Sequence, residues 1–196
     1  MWKRIVSSLV GVSLILCGFV GVSKLKERLP TQEPIEVETI KDAPAGDSMP
    51  KAAFEVAAKG AVLVDAESGE VLFEQDAHKE LPLASVTKVM TMLLVMEAVD
   101  SGKITLDDSV TISERAASMG GSQMYMEAGE THTVAELMEG VAMASANDGC
   151  VALSEFVAGS EEIFVERMNE RATELGMRDT HFVNTNGLPV AGHYSS

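Results

Sequence analysis

Uncharged and charged positions divide this chain into three stretches. Ile5 to Ser23 carries no charge and follows a short basic head, Met1 to Arg4. That length suits the apolar core of a secretory signal or a marginal membrane span. Lys24, Lys26 and Arg28 come next. Positive charge on both sides blunts the positive-inside signal, so residues 1–28 read either as a cleaved signal peptide or as a retained N-terminal anchor. Leu16 stands before Cys17 where lipoprotein processing takes a small residue, which argues against lipidation. Residues 29–57, with Pro34, Pro44, Gly46 and Pro50 and no apolar period, read as an extended linker.

From residue 58 to 196 the pattern becomes that of a folded domain. Ala61–Asp65 and Glu70–Glu74 are short β-prone runs joined by Ala66-Glu-Ser-Gly69, which predicts a hairpin whose glycine supplies a positive φ. Ser85 to Asp100 is apolar on nearly every face and stops at Ser101-Gly102, so it is expected to be the central buried helix, with Val89, Met90 and Met92 marking its burial. Ile104 to Tyr125 is polar and punctuated by glycine, the pattern of loops and short turns. Thr133-Val-Ala-Glu136 has capping-box spacing and predicts a helix that ends near Ser145. Asp148–Gly159 reads as a further helix. Ser160 then starts another that runs to Leu175 and stops at Gly176, with Glu161 and Glu162 complementing its dipole. Glu161, Glu162, Glu166 and Glu170 are read as solvated helix-face charges. A hairpin followed by several helices implies an α+β fold, helices packed on an antiparallel sheet.

Composition sharpens this division. The 196 residues carry 15 Lys or Arg against 30 Asp or Glu, a net charge of −15, and five of the basic residues fall within residues 1–28. The body is therefore strongly acidic and would repel phosphates, which argues against nucleic acid as a partner. Cys17 and Cys150 are the only cysteines. They imply no disulfide framework, and Cys150 is expected to pack as a small buried group. The 12 methionines are read as core filling.

The candidate chemistry lies where the long apolar helix begins. Ser85 and Lys88 are three residues apart, so on a helix they share a face, and a lysine kept partly neutral by burial can take the serine proton. Two other Ser-x-x-Lys spacings, Ser23/Lys26 and Ser48/Lys51, fall in the N-terminal segment and the linker, where no rigid helix would align them. A plain alternative for Ser85 is helix capping. Ser145-Ala-Asn147 is the only Ser-x-Asn in the chain, placed 60 residues after Ser85 at the predicted end of a helix. The histidines, His78, His132, His181 and His193, come with no Gly-x-Ser-x-Gly elbow. His-Glu-x-x-His and Cys-x-x-Cys are also lacking, so neither a Ser-His-Asp site nor a metal site is expected. Gly120-Gly121-Ser122 lacks the Gly-Lys-Ser/Thr of a phosphate loop.

Ser-x-x-Lys followed at this distance by Ser-x-Asn is the signature of penicillin-binding proteins and serine β-lactamases. Three longer words, Pro82-Leu-Ala-Ser-Val-Thr-Lys-Val-Met-Thr91, Ala144-Ser-Ala-Asn-Asp148 and His181-Phe-Val-Asn-Thr-Asn-Gly-Leu188, narrow it. With them the chain resembles the low-molecular-weight D-alanyl-D-alanine carboxypeptidases, especially the sporulation-associated type of Gram-positive, clostridium-like bacteria. The resemblance implies the penicillin-binding-protein/β-lactamase-like transpeptidase fold and an extracytoplasmic enzyme without a cofactor. Its substrate would be peptidoglycan pentapeptide stems, its inhibitors β-lactam antibiotics, and its N-terminal segment would contact the cytoplasmic membrane.

It further implies Ser85 as acyl-ester nucleophile, Lys88 as general base, Ser145 as proton shuttle, Asn147 as the group that orients Lys88 and substrate, and Ser122 on the cleft side beside the substrate. The family's Lys-Thr-Gly word does not occur. In the family it lies well beyond position 196, so the chain is expected to be the N-terminal portion of a longer enzyme, inactive by itself. If the chain were whole, a non-catalytic muropeptide-binding protein would be the better reading. A class A β-lactamase fits poorly, because no glutamate here is followed four residues later by asparagine and Ala146 replaces the usual aspartate.

Overall fold

The computed structural model describes residues 56–196. The predicted signal or anchor and nearly all of the linker lie outside these residues. Strands β1 (Ala61–Val64) and β2 (Val71–Gln75) pair antiparallel with Leu63 opposite Phe73. Asp65 Oδ1 closes their turn by accepting from the N–H groups of Glu67 and Ser68 at 3.2 and 2.8 Å, and Gly69 takes a φ of +74°. The hairpin is the one the sequence predicts, its second strand displaced by one residue.

Helix α1 (Lys88–Asp100) continues a 3-10 turn, Ala84–Thr87. A second small sheet pairs β3 (Ser109–Thr111) with β4 (Thr131–Thr133), and between them stands a one-turn helix, α2 (Glu114–Ala117), capped by Ser113 Oγ. The expectation of loops over Ile104–Tyr125 is corrected by β3 and α2. Three-residue strands show no period, and their pairing spans more than twenty residues of sequence, so nothing local announces them.

Helices α3 (Val134–Ala144), α4 (Asn147–Ala158) and α5 (Glu161–Glu174) follow. The predicted capping box is formed, Thr133 Oγ1 accepting from Glu136 N–H at 3.1 Å and Glu136 Oε2 from Thr133 N–H at 2.8 Å. The central helix is α4 and not, as expected, α1. Nine of the twelve residues of α4 are buried against five of the thirteen in α1. Gly149, Cys150, Ala152 and Ser154 let α1, α2, α3, α5 and β3 all approach α4. Bulky residues around α1 cannot admit as many neighbours, and Val89 stays 61% exposed. Phe164, Leu137, Leu153 and Val151, all fully buried, anchor the core around α4. Helices and antiparallel strands together make a mixed α+β fold. Among the described residues no helix is long and apolar enough to cross a membrane.

Candidate active site

At the reactive turn the chain accepts local strain. Ala84 has a φ of +46°, a left-handed conformation that costs a non-glycine residue on the order of 1 kcal/mol. The turn that follows is 3-10, in which side chains at i and i+3 eclipse. Ser85 is thereby stacked on Lys88, whose Nζ donates to Ser85 Oγ at 3.1 Å. Leu83 and Thr87 stand at the cap positions before the turn and α1, and neither end is capped by a side chain. The Ser85 hydroxyl faces the amine and does not cap the helix.

Ser85 is exposed, whereas Lys88 is only 3% exposed. Burial disfavours the ammonium and lowers the Lys88 pKa from its ordinary 10.5. Cys150 sits close enough to interact with Lys88, yet burial pushes its own thiol up to about 12. A thiol that stays neutral up to such a pH supplies no counter-charge to the amine. Since Val89 is exposed, the cover over Lys88 comes from elsewhere, namely α4 and the segment Asn184–Gly187.

That segment is closely fitted. Asn186 O accepts from Lys88 Nζ at 2.7 Å, and Thr185 O accepts from Thr91 Oγ1 at 2.6 Å. Gly187 has a φ of +85°, and a Cβ there would overlap the Ala84 carbonyl. Asn184 Oδ1 and Asn186 Oδ1 close the loop on itself by accepting from Gly187 and Leu188 N–H at 2.7 and 3.0 Å. Glu161 braces it from α5. Its carboxylate is buried, accepts from Thr185 Oγ1 at 3.0 Å and pairs with Arg115 at 2.7 Å. The reading of Glu161 as a solvated helix-face charge is therefore corrected: at the first turn of α5 it is drawn inward by Arg115 and the Thr185 hydroxyl.

The second half of the site lies between α3 and α4. Ser145 ends α3 in a left-handed conformation, φ +55° and ψ +40°, and its Oγ is buried without a hydrogen-bond partner, as is Asn186 Nδ2. Asn147 opens α4 and is bound to the 120s loop, its Nδ2 donating to Gly120 O at 2.7 Å and its backbone N–H to Ser122 O at 2.8 Å. A Cβ at Gly121 would meet Asn147 Nδ2 at 2.8 Å, so this approach requires glycine. Asp148, 1% exposed, holds the same loop by accepting from the N–H groups of Met124 and Tyr125 at 3.0 to 3.1 Å.

The predicted residues thus form two groups, Ser85 with Lys88 and Asn147 with Ser122, linked by the packing of α1 against α4. Among the described residues no hydrogen bond joins Ser145 or Asn147 to Ser85 or Lys88. Sequence reasoning missed Asn186, Glu161 and Asp148. Asn186 contributes through a carbonyl, which every residue type has. Asp148 and Glu161 occupy first-turn positions where a dipole-complementing acid is unremarkable. No group of three or more His, Cys, Asp or Glu among the described residues is placed to hold a metal ion.

An exposed serine hydroxyl on a buried lysine amine, beside a Ser-x-Asn helix junction in an α+β scaffold, has the form of a serine–lysine acyl-transfer site. The chain belongs to the D-alanyl-D-alanine carboxypeptidase family, peptidase family S11, which it matches over residues 46–196. It is 54% identical over 139 residues to the D-alanyl-D-alanine carboxypeptidase DacF of Bacillus subtilis, covering 71% of this chain and 36% of that protein. The crystal structure of DacD from Francisella tularensis superposes with a TM-score of 0.72 at 36% identity, covering 76% of this chain and 36% of that one. Penicillin-binding protein D2 of Listeria monocytogenes, in its ampicillin-bound form, superposes at 0.63 with 32% identity, covering 74% of this chain and 58% of that one. The chain spans about a third of the length of the B. subtilis relative.

Proposed function

We propose that this chain supplies the nucleophile half of a serine-type D-Ala-D-Ala carboxypeptidase that removes the terminal D-alanine from peptidoglycan pentapeptide stems. The observation that carries the reading is the 3.1 Å contact between Ser85 Oγ and a buried Lys88 Nζ anchored on Asn186 O, in a member of this family. A carbonyl only accepts, so the Asn186 carbonyl takes an N–H from Lys88 in either protonation state. In the neutral amine that leaves the lone pair for the Ser85 proton.

Lys88 takes the proton as Ser85 Oγ attacks the carbonyl carbon of the penultimate D-Ala. The Ser85 backbone N–H lies at the start of the turn and α1, where it can donate to the developing oxyanion. The C–N bond then breaks and the leaving nitrogen is protonated through Ser145, releasing D-alanine. Water hydrolyses the ester and Ser85 recovers its proton. Asn147, held by the 120s loop, is assigned to orient the substrate backbone and, through the packing of α4 on α1 without a direct hydrogen bond, Lys88, and Ser122 borders the substrate. The resemblance to an ampicillin-bound protein supports β-lactams as acylating inhibitors.

Residues 58–196 are, on this reading, the N-terminal part of the catalytic domain, carried outside the cytoplasmic membrane by residues 1–28 and tethered through residues 29–57. A role in sporulation rests on the likeness of the flanking words to the sporulation-associated type. The test is release of D-alanine from a pentapeptide by the full-length protein. Release is expected from the parent and at background level from Ser85→Ala; release by Ser85→Ala at the parental rate would overturn the reading.

A further inference from the structure

His193 carries no role in the chemistry above, yet it is 7% exposed and both of its ring nitrogens are engaged. Val183 N–H donates to His193 Nδ1 at 3.0 Å, and His193 Nε2 lies 2.7 Å from Thr87 Oγ1. A backbone N–H can only donate, so Nδ1 bears no proton and the neutral ring carries its hydrogen on Nε2, aimed at Thr87. Thr87 is itself 1% exposed and stands between Ser85 and Lys88 in the 3-10 turn. Phe182 packs edge-on against the ring at 5.8 Å. The chain around His193 is fixed too, because Tyr194 pairs with His181 and Ser195 with Leu81 through backbone hydrogen bonds.

We propose that His193 is a positioning residue for the Ser85–Lys88 pair: its imidazole ties Thr87 to the backbone of Val183 and so fixes the turn that stacks nucleophile on base. The inference rests on the carboxypeptidase reading for its consequence, though the clip itself stands on geometry. Its physical reason is the direction of the two side chains. In a 3-10 turn the residue between i and i+3 points away from their shared face, so Thr87 is the handle by which the protein can hold the turn without touching the reacting groups. The same structure makes the clip sensitive to protonation. A second proton on His193 would sit on Nδ1 and oppose the Val183 N–H. Burial, and secondarily the charge of His181, lower the His193 pKa from its ordinary 6.5. His193 also lines a cavity of about 140 Å³ otherwise formed by Pro82–Ala84 and Gly187–Val190, where no side chain ionises. Lys88, one residue beyond Thr87, directs its amine to Ser85 and Asn186 instead.

The experiment measures acylation of the full-length protein by a fluorescent penicillin as a function of pH, for the parent, Thr87→Val, His193→Asn and Thr87→Val/His193→Asn. Asn retains an acceptor where Nδ1 was and loses the reach to Thr87. Each single variant is expected to acylate about tenfold more slowly, and the double variant no more slowly than either, because one link is cut twice. Below pH 6.5 the parent should lose rate with one more proton than His193→Asn, which cannot titrate there. Nitrogen-15 shifts of the His193 ring should report the proton on Nε2 in the parent whether or not the protein acylates. Absence of labelling in the parent, which would sink the carboxypeptidase reading, is thus separable from absence of the clip. Single variants acylating within twofold of the parent, losses that multiply in the double variant, or a proton on Nδ1 would each overturn the inference.

Discussion

At the scale of single residues, acylation turns on the Lys88 proton. A protonated amine cannot accept from Ser85, and burial of Lys88 among α4 and Asn184–Gly187 favours the form that can. Its pKa is lowered from 10.5, so acylation should rise with pH as the amine loses its proton and reach its plateau below that value. Lys88→Arg keeps the charge and removes the titration, since guanidinium stays protonated at any such pH. The variant should keep its circular-dichroism spectrum and lose acylation. A folded Lys88→Arg protein acylating at close to the parental rate would make Lys88 an electrostatic anchor and send the search for a base elsewhere. The Ser85–Lys88 pair was legible in the sequence because i, i+3 spacing places two side chains on one face whether the turn is α or 3-10. Asn186 was not, since a carbonyl leaves no mark on residue type.

At the scale of elements, what positions the pair is the fit of one loop against one turn. Gly187 lies so close to Ala84 that no side chain fits, and its φ of +85° is one that side chains resist. Gly187→Ala is expected to push the loop off the turn, lowering stability by about 1–3 kcal/mol and uncoupling Asn186 from Lys88. Urea denaturation together with penicillin labelling would check both effects, and a variant that labels like the parent would show that the loop is dispensable. Glu161→Ala leaves the Thr185 N–H and hydroxyl buried without their acceptor, a loss of about 1–3 kcal/mol, read as a lower urea midpoint at unchanged slope. The hairpin, the capping box and α5 were legible because each is written locally, in a turn glycine, a Thr-x-x-Glu spacing and a serine cap. The centrality of α4 was not. An apolar helix advertises burial, whereas a helix of small residues gains its central place only from neighbours far away in sequence.

At the scale of the whole molecule, charge and apolarity are split along the chain. The basic and uncharged residues of 1–28 precede an acidic body, and their pattern is the basis for the export proposed above. Protease added to intact protoplasts of a Gram-positive host is expected to digest the body, and full protection with the membrane sealed would contradict export. The α+β class was legible from the order of hairpin and helices, while β3 and β4 were not, since their short pairing is decided by tertiary packing. The central claim, that Ser85 is the acylated nucleophile, is tested most directly by mass spectrometry of peptides from the penicillin-labelled full-length protein. The adduct is expected on the peptide that contains Ser85, with no adduct in Ser85→Ala. An adduct on another residue, or undiminished labelling of Ser85→Ala, would contradict it.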